Sequence, residues 1–263
     1  MNNVNEKLLK KVIEIAKEAG RAILEVYETD FEVSYKQDKS PLTIADKRSH
    51  EIIKARLKEL TPRFPVLSEE GKDIPFDERK KWVYFWLVDP LDGTKEFIRR
   101  NGEFTVNIAL IKKDKPILGV IYVPVKELLY FAEIGEGAFK LEEKRLTKIK
   151  VDQKIDDGGY RVVVSRSHMT TEVEQFLETI KVKERMSAGS SLKFCLIAEG
   201  RADIYPRFGP TMEWDTAAGQ AIVEQAGGVV ISRDSREPLK YNNKKLQNPW
   251  FICRYLALHD ADK

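Results

Sequence analysis

Apolar positions along this chain change period several times, and each change marks an element. Across residues 5–27 they recur at helical spacing, with Leu8, Leu9, Val12, Ile15, Ala16, Ala19 and Ile23 on one stripe, which predicts a long first helix. A strand near 31–35 follows, and then a helix carrying Ile52, Ile53 and Leu57 that either Thr43 or Asp46 can cap. The run 82–88 is continuously apolar and rich in aromatic and β-branched residues, the pattern of a strand covered on both faces. Strands at 105–111, 117–123 and 128–132, separated by the breaks Lys-Asp-Lys-Pro and Pro-Val-Lys-Glu, predict a meander. After a charged stretch at 142–150, strand and helix alternate: strands at 160–165, 203–205 and 229–231, helices at 171–180, 190–199 and 216–226. Such alternation favours an α/β lobe, so a boundary is expected near Lys150, with an α+β lobe over 1–150 and an α/β lobe over 151–263.

The strand at 82–88 opens the sequence WVYFWLVDPLDGT, which ends in two aspartates. Pro90 has no N–H to donate, so the chain is expected to leave the sheet after Asp89, and Gly93 permits a tight turn with φ above zero. The bend lets Asp89, the Leu91 carbonyl and Asp92 point at one centre, a set of hard oxygen ligands suited to Mg²⁺. Thr94 is placed to cap a short helical turn, and the N–H groups of Gly93 and Thr94 then offer an anion site beside the metal. Asp-Gly is also an ordinary turn signal, which leaves a plain loop as the alternative on these residues alone. Further acids stand elsewhere. Glu69 and Glu70 lie in PVLSEEG, where a solvated turn is the plain alternative. Asp215 in MEWDTAAGQ reads as the N-cap of a helix closed by Gly227 and Gly228, a role compatible with metal ligation.

A second anion site is suggested by SAGSSLKFCLIAEG, where a Gly-Ser-Ser turn leads into helical spacing at Leu192, Cys195, Leu196 and Ala198 with Ser190 as the expected cap. Lys193 in the first turn opposes the helix dipole, a cost of a few tenths of a kcal/mol (~0.3) unless a phosphate sits nearby. Arg207 in YPRFGP adds a forked donor suited to bidentate phosphate contact.

The ordered set SEE, DPLDGT and WDTAAGQ resembles the lithium-sensitive phosphatases of the inositol monophosphatase superfamily over nearly the whole chain. The longer strings DPLDGTKEFIRRNGEFTVNIALI and GSSLKFCLIAEGRADIYPRFGPTMEWD are similar to those of bacterial 3'(2'),5'-bisphosphate nucleotidases of the CysQ type. The resemblance implies a layered αβαβα sandwich in which Asp215, from the second lobe, closes a site between the lobes. It implies two or three Mg²⁺ ions held by Glu69, Asp89, the Leu91 carbonyl, Asp92 and Asp215. Glu69, Asp46 and Thr94 are then catalytic, with Asp46 and Thr94 positioning or activating water. Substrate is expected against Glu69, Leu91, Asp92, Gly93, Thr94, His168, Ser190, Lys193, Arg207 and Asp215, with His168 near the base or ribose unless it is an ordinary polar loop residue. Four or five clustered carboxylates stay ionised only if cations neutralise them, and a pair of ions about 4 Å apart suits phosphoryl hydrolysis without a covalent intermediate.

The implied reaction removes the 3'-phosphate of adenosine 3',5'-bisphosphate to give AMP and phosphate, extends to the sulfated analogue and is inhibited by lithium. An inositol monophosphatase or fructose-1,6-bisphosphatase shares the metal core and is the alternative, against which GTKEF and GSSLKF argue. A non-catalytic phosphometabolite sensor has no need of the intact set Asp46, Glu69, Asp89, Asp92, Thr94 and Asp215.

Composition adds mainly exclusions. The 263 residues allow a large core, and 45 basic against 42 acidic residues give a net charge of +3, no field for nucleic acid. Cys195 and Cys253 sit in apolar surroundings and read as reduced core residues. The N-terminal stretch has no apolar signal core and no apolar run approaches ~18 residues, so the expected address is cytoplasmic with no transmembrane segment. Peripheral attachment at the inner membrane is compatible with this, and so are a monomer and a dimer.

Overall fold

The computed structural model describes residues 2–35, 41–154 and 157–255. Helices α1 (Asn2–Tyr27) and α2 (Ile44–Leu60) flank an antiparallel pair of two-residue strands, β1 (Ser34–Tyr35) and β2 (Pro41–Leu42). Only the end of the strand expected at 31–35 therefore forms. A seven-stranded sheet follows in simple spatial order: β3 (Val66–Ser68), β4 (Tyr84–Asp92), β5 (Thr105–Lys112), β6 (Lys115–Val123), β7 (Leu128–Glu133), β8 (Gly137–Glu142) and β9 (Arg145–Ile149). Strand β3 is parallel to β4 and every later neighbour is antiparallel, so the expected meander is the centre of this sheet. Short helices α3 (Phe76–Arg79) and α4 (Thr94–Ile98) interrupt it after β3 and β4.

The second sheet has five strands, ordered β11 (Val182–Ala188), β10 (Tyr160–Ser165), β12 (Ile204–Arg207), β14 (Phe251–Tyr255) and β13 (Gly228–Ser232). Helix α5 (Thr171–Glu178) crosses from β10 to the parallel β11, while α6 (Leu192–Ala198) and α7 (Glu213–Gln225) precede β12 and β13.

Alternation of side chains along buried strands produces five layers. On β4, Trp86 and Val88 join Val12, Ala16, Ile23, Ile53 and Leu57 of α1 and α2. Phe85 and Leu87 face the other way, into a core shared with Phe194, Cys195, Ala218 and Ile222 of α6 and α7 and with Val163, Tyr205, Phe251 and Cys253 of the second sheet. That sheet turns Val162, Val164, Ile204 and Ile252 outward onto Val173 and Leu177 of α5. The order of layers is the expected αβαβα sandwich. Both cysteines are free and buried. Among the described residues no helix is long and apolar enough to cross a membrane.

Candidate active site

The site forms where β4 breaks step with β5. Asp89 stands opposite Asn107 and Asp92 opposite Thr105, so three steps on β4 match two on β5, a bulge that re-aims the aspartates. Pro90 sits inside it, where no ladder N–H is required, and the strand runs on to Asp92 instead of ending at Asp89. Asp89 Oδ1 accepts from Leu91 N at 3.1 Å, while the Pro90 carbonyl accepts from Ser49 Oγ of α2 at 2.7 Å. Gly93 has φ 88° and ψ 44°, and a Cβ there would lie 3.2 Å from the Ser190 Cβ. Conformation and close approach both demand glycine. Gly93, not Thr94, is the N-cap of α4.

Thr94 uses its hydroxyl otherwise, donating to Asp46 Oδ1 at 3.2 Å. On α2 the cap is Thr43. Its Oγ1 accepts from Ala45 N, and its N–H and hydroxyl donate to Asp46 Oδ2 at 2.8 and 2.7 Å. Asp46 is thus the N3 member of a capping box with one oxygen reserved for Thr94. Burial pushes its carboxyl above the usual range against the pull of the Thr43 hydrogen bonds. Asp215 likewise occupies N3: α7 starts at Glu213, the N-cap is Met212, and Asp215 Oδ2 accepts from Met212 N at 2.8 Å. Glu69 follows β3, with its N–H donating to the Val88 carbonyl at 3.1 Å.

These elements enclose a cleft of about 650 Å³. Glu69, Asp89, Leu91, Asp92, Gly93, Thr94 and Asp215 all line it, with Asp46 buried behind Thr94. Burial, and then repulsion from Glu69, Asp92 and Asp215, pushes the Asp89 carboxyl well above its ordinary range. Asp215 is raised by burial and by Asp92 and Glu69. The donors are all oxygen and share one place, so the site fits a hard divalent cation in chemistry. Among the described residues no three acidic, His or Cys side chains yet converge at coordination distance.

His168, Ser190, Lys193 and Arg207 line the same cleft, together with Lys95. Lys193 Nζ folds back to the Ser190 and Ala188 carbonyls at 2.5 and 3.3 Å and lies 5.4 Å from the Tyr205 ring centre. Complete burial, reinforced by Arg207, pushes its pKa down to about 8. Arg207 donates from Nη1 and Nη2 to the His168 and Pro210 carbonyls, and its buried Nε makes no hydrogen bond. His168 Nε2 is 2.8 Å from Lys95 Nζ, and burial with Lys95, Arg207 and Lys193 nearby lowers its pKa to about 4. It is therefore a neutral acceptor in a cationic corner. Ser190 does not cap α6. Ser191 is the N-cap, and Ser190 adopts φ 49°.

Sequence reasoning missed Lys95, Thr105, Asn107 and Ser191. A signal for two of them existed. Thr105 and Asn107 are polar at i and i+2 of an otherwise apolar strand, and so share one face of β5.

A sequence profile described as the inositol monophosphatase family matches residues 4–251, and the chain belongs to that family. Within it, the chain is 51% identical over 225 residues to the 3'(2'),5'-bisphosphate nucleotidase CysQ of Salmonella typhimurium, covering 85% of this chain and 89% of the relative. The CysQ of Escherichia coli K12 is 48% identical over 93% of this chain and 98% of its own length. Among solved structures, CysQ from Bacteroides thetaiotaomicron superposes with a TM-score of 0.84 at 47% identity, covering 96% and 98% of the two chains.

Proposed function

We propose that this cleft removes the 3'-phosphate of adenosine 3',5'-bisphosphate, giving AMP and inorganic phosphate, and accepts the sulfated analogue in the same orientation. The chain is an enzyme, a phosphoric monoester hydrolase of the 3'(2'),5'-bisphosphate nucleotidase type, as its curated relatives are named. One observation carries the choice of substrate: a single cleft is lined both by the acids Glu69, Asp89, Asp92 and Asp215 and by the cations Lys95, Lys193 and Arg207. A substrate with a reacting phosphate and a second, fixed anion suits both sets of residues. An inositol monophosphate has no second anion for Lys193 and Arg207.

Glu69, Asp89, the Leu91 carbonyl, Asp92 and Asp215 would hold Mg²⁺, which when bound supplies charge neutralisation and Lewis acidity at the phosphoryl group. The chain's own part is positioning and proton movement. Thr94 Oγ1 donates to Asp46 Oδ1, so its lone pairs are oriented to accept a proton from the attacking water while Asp46 receives the Thr94 proton. The raised pKa of Asp46 makes it the better base for this step. Water oxygen bonds to phosphorus, the bond to O3' breaks, and the leaving oxygen is protonated from solvent. Lys193 and Arg207 receive the 5'-phosphate, and the neutral His168, whose Nε2 accepts from Lys95, donates from its Nδ1–H to the ribose or base.

Phosphate release from adenosine 3',5'-bisphosphate, inositol 1-phosphate and fructose 1,6-bisphosphate, measured side by side in Mg²⁺ with and without lithium, tests the proposal. Preferred, lithium-sensitive hydrolysis of the nucleotide is expected. Preference for either sugar ester would overturn the substrate, and no hydrolysis of any of the three would overturn the catalytic role.

A further inference from the structure

Asp92 Oδ2 carries an unusual load of neutral donors. Ser190 Oγ lies at 2.7 Å, Ser191 Oγ at 2.8 Å and Asn107 Nδ2 at 3.3 Å. These groups are themselves held from β5. Thr105 Oγ1 is 2.5 Å from Ser190 Oγ and 2.9 Å from Asn107 Oδ1, and Asn107 Nδ2 donates to Ser191 Oγ at 2.8 Å. A hydroxyl has one proton, so the count is restrictive. With Asp92 ionised, two arms end on one oxygen: Asn107 to Ser191 to Asp92, and Ser190 to Asp92, with the single Thr105 proton shared between Ser190 Oγ and Asn107 Oδ1. Ser191 Oγ also lies 3.0 Å from the Asp215 carbonyl. The network therefore joins Asp92 of the first sheet to the backbone of Asp215 on α7. Thr105 is fully buried and Asn107 and Ser191 nearly so, which makes each of these bonds costly to lose. Ser190 accepts a left-handed backbone to reach its place, strain of a kind that persists where surroundings over-determine it. Oδ1 of Asp92, by contrast, accepts no hydrogen bond among the described residues.

We propose that Thr105 and Asn107 are positioning residues that act through Ser190 and Ser191 to fix the Asp92 carboxylate, occupying Oδ2 so that Oδ1 is presented to the metal. The assignment rests on Asp92 being a ligand of that metal. It also gives the Ser190 hydroxyl a different task from direct substrate contact: its proton goes to Asp92. Outer partners that orient a ligating carboxylate change metal affinity more than they change the fold.

The test compares wild type with Thr105→Val, Thr105→Ser and Asn107→Ala. Mg²⁺ binding to each is measured by titration calorimetry without substrate, and thermal unfolding is measured in chelator. Thr105→Val and Asn107→Ala are expected to weaken Mg²⁺ binding by about 10- to 100-fold. Thr105→Ser, which keeps the hydroxyl, should restore binding to within about twofold of wild type. Should Asn107→Ala fail to fold, the Thr105→Val and Thr105→Ser pair decides alone. Mg²⁺ affinity unchanged in Thr105→Val, whatever happens to the melting temperature, overturns the proposal. Absence of Mg²⁺ binding in the wild type would instead overturn the metal assignment beneath it.

Discussion

Asp92 accepts from Ser190 and Ser191 at 2.7 and 2.8 Å and stands beside the other acids of the site. Replacing it by asparagine removes one of the charges that raise Asp89 and Asp215. Asp92→Asn is expected to lower phosphate release by at least about a hundredfold at saturating Mg²⁺, while melting in chelator stays equal to wild type or rises. Turnover like that of wild type would remove Asp92 from the ligand set. Lys193 makes a different prediction. With its pKa pushed down to about 8, it is charged below that pH and neutral above it. The charged form attracts a second phosphate, so KM for the bisphosphate should rise as pH climbs through 8, with a smaller rise for 3'-AMP. The same pH dependence for both substrates would mean that Lys193 does not recognise the distal anion.

At the scale of elements, the sequence was most legible where burial is two-sided. The continuous apolar run of β4 and the meander after it are where the periodicity places them, because both faces of that sheet meet helices. The edge strands β9 and β11 were not legible, whereas β13, also an edge, lies where the strand at 229–231 is expected. Strand β9 is exposed at four of its five positions, and β11 reads as VKERMSA, so neither carries the apolar alternation that announces a strand. The carboxylates were legible as turn-adjacent acids; Thr43, one of the two caps offered for α2, is its cap, while Asp215 stands three residues past the N-cap Met212. Asp46 and Asp215 both sit at N3, where a carboxylate can serve the helix start with one oxygen and leave the other for the site. Spacing alone does not distinguish N3 from the N-cap. The α7 position depends on a distant contact: at Gly119 of β6, a Cβ would stand 2.5 Å from the Ala218 carbonyl and 2.8 Å from the Ala221 Cβ. Gly119→Val should therefore destabilise the fold by about 2–3 kcal/mol. By displacing α7, and Asp215 with it, the change should also reduce activity in the molecules that remain folded. Full activity per folded molecule would show that Asp215 tolerates such a shift.

Across the whole molecule, the layered architecture brings together acids that a single sheet could not hold, Asp89 and Asp92 from the first and Asp215 from the helix leading into the second. Their raised protonation has a defined sign. A carboxyl whose folded pKa exceeds its unfolded value of about 4 binds more protons in the folded state, so stability falls as pH rises from about 4 through the folded pKa. In chelator, the melting temperature should accordingly fall between pH 4 and 8. Mg²⁺ at a hundred times its dissociation constant should return about 2.7 kcal/mol at the upper end of that range. A melting temperature indifferent to Mg²⁺ at pH 8 would contradict a site built to be completed by a cation.

Recognition of a second phosphate in this cleft is tested most directly by the ratio of kcat/KM for adenosine 3',5'-bisphosphate to that for 3'-AMP, in the wild type and in Lys193→Ala. The account predicts a wild-type ratio well above one that falls by about 10- to 100-fold in the variant, the worth of one charge-assisted contact to the second phosphate. Equal kcat/KM for the two nucleotides in the wild type would contradict it.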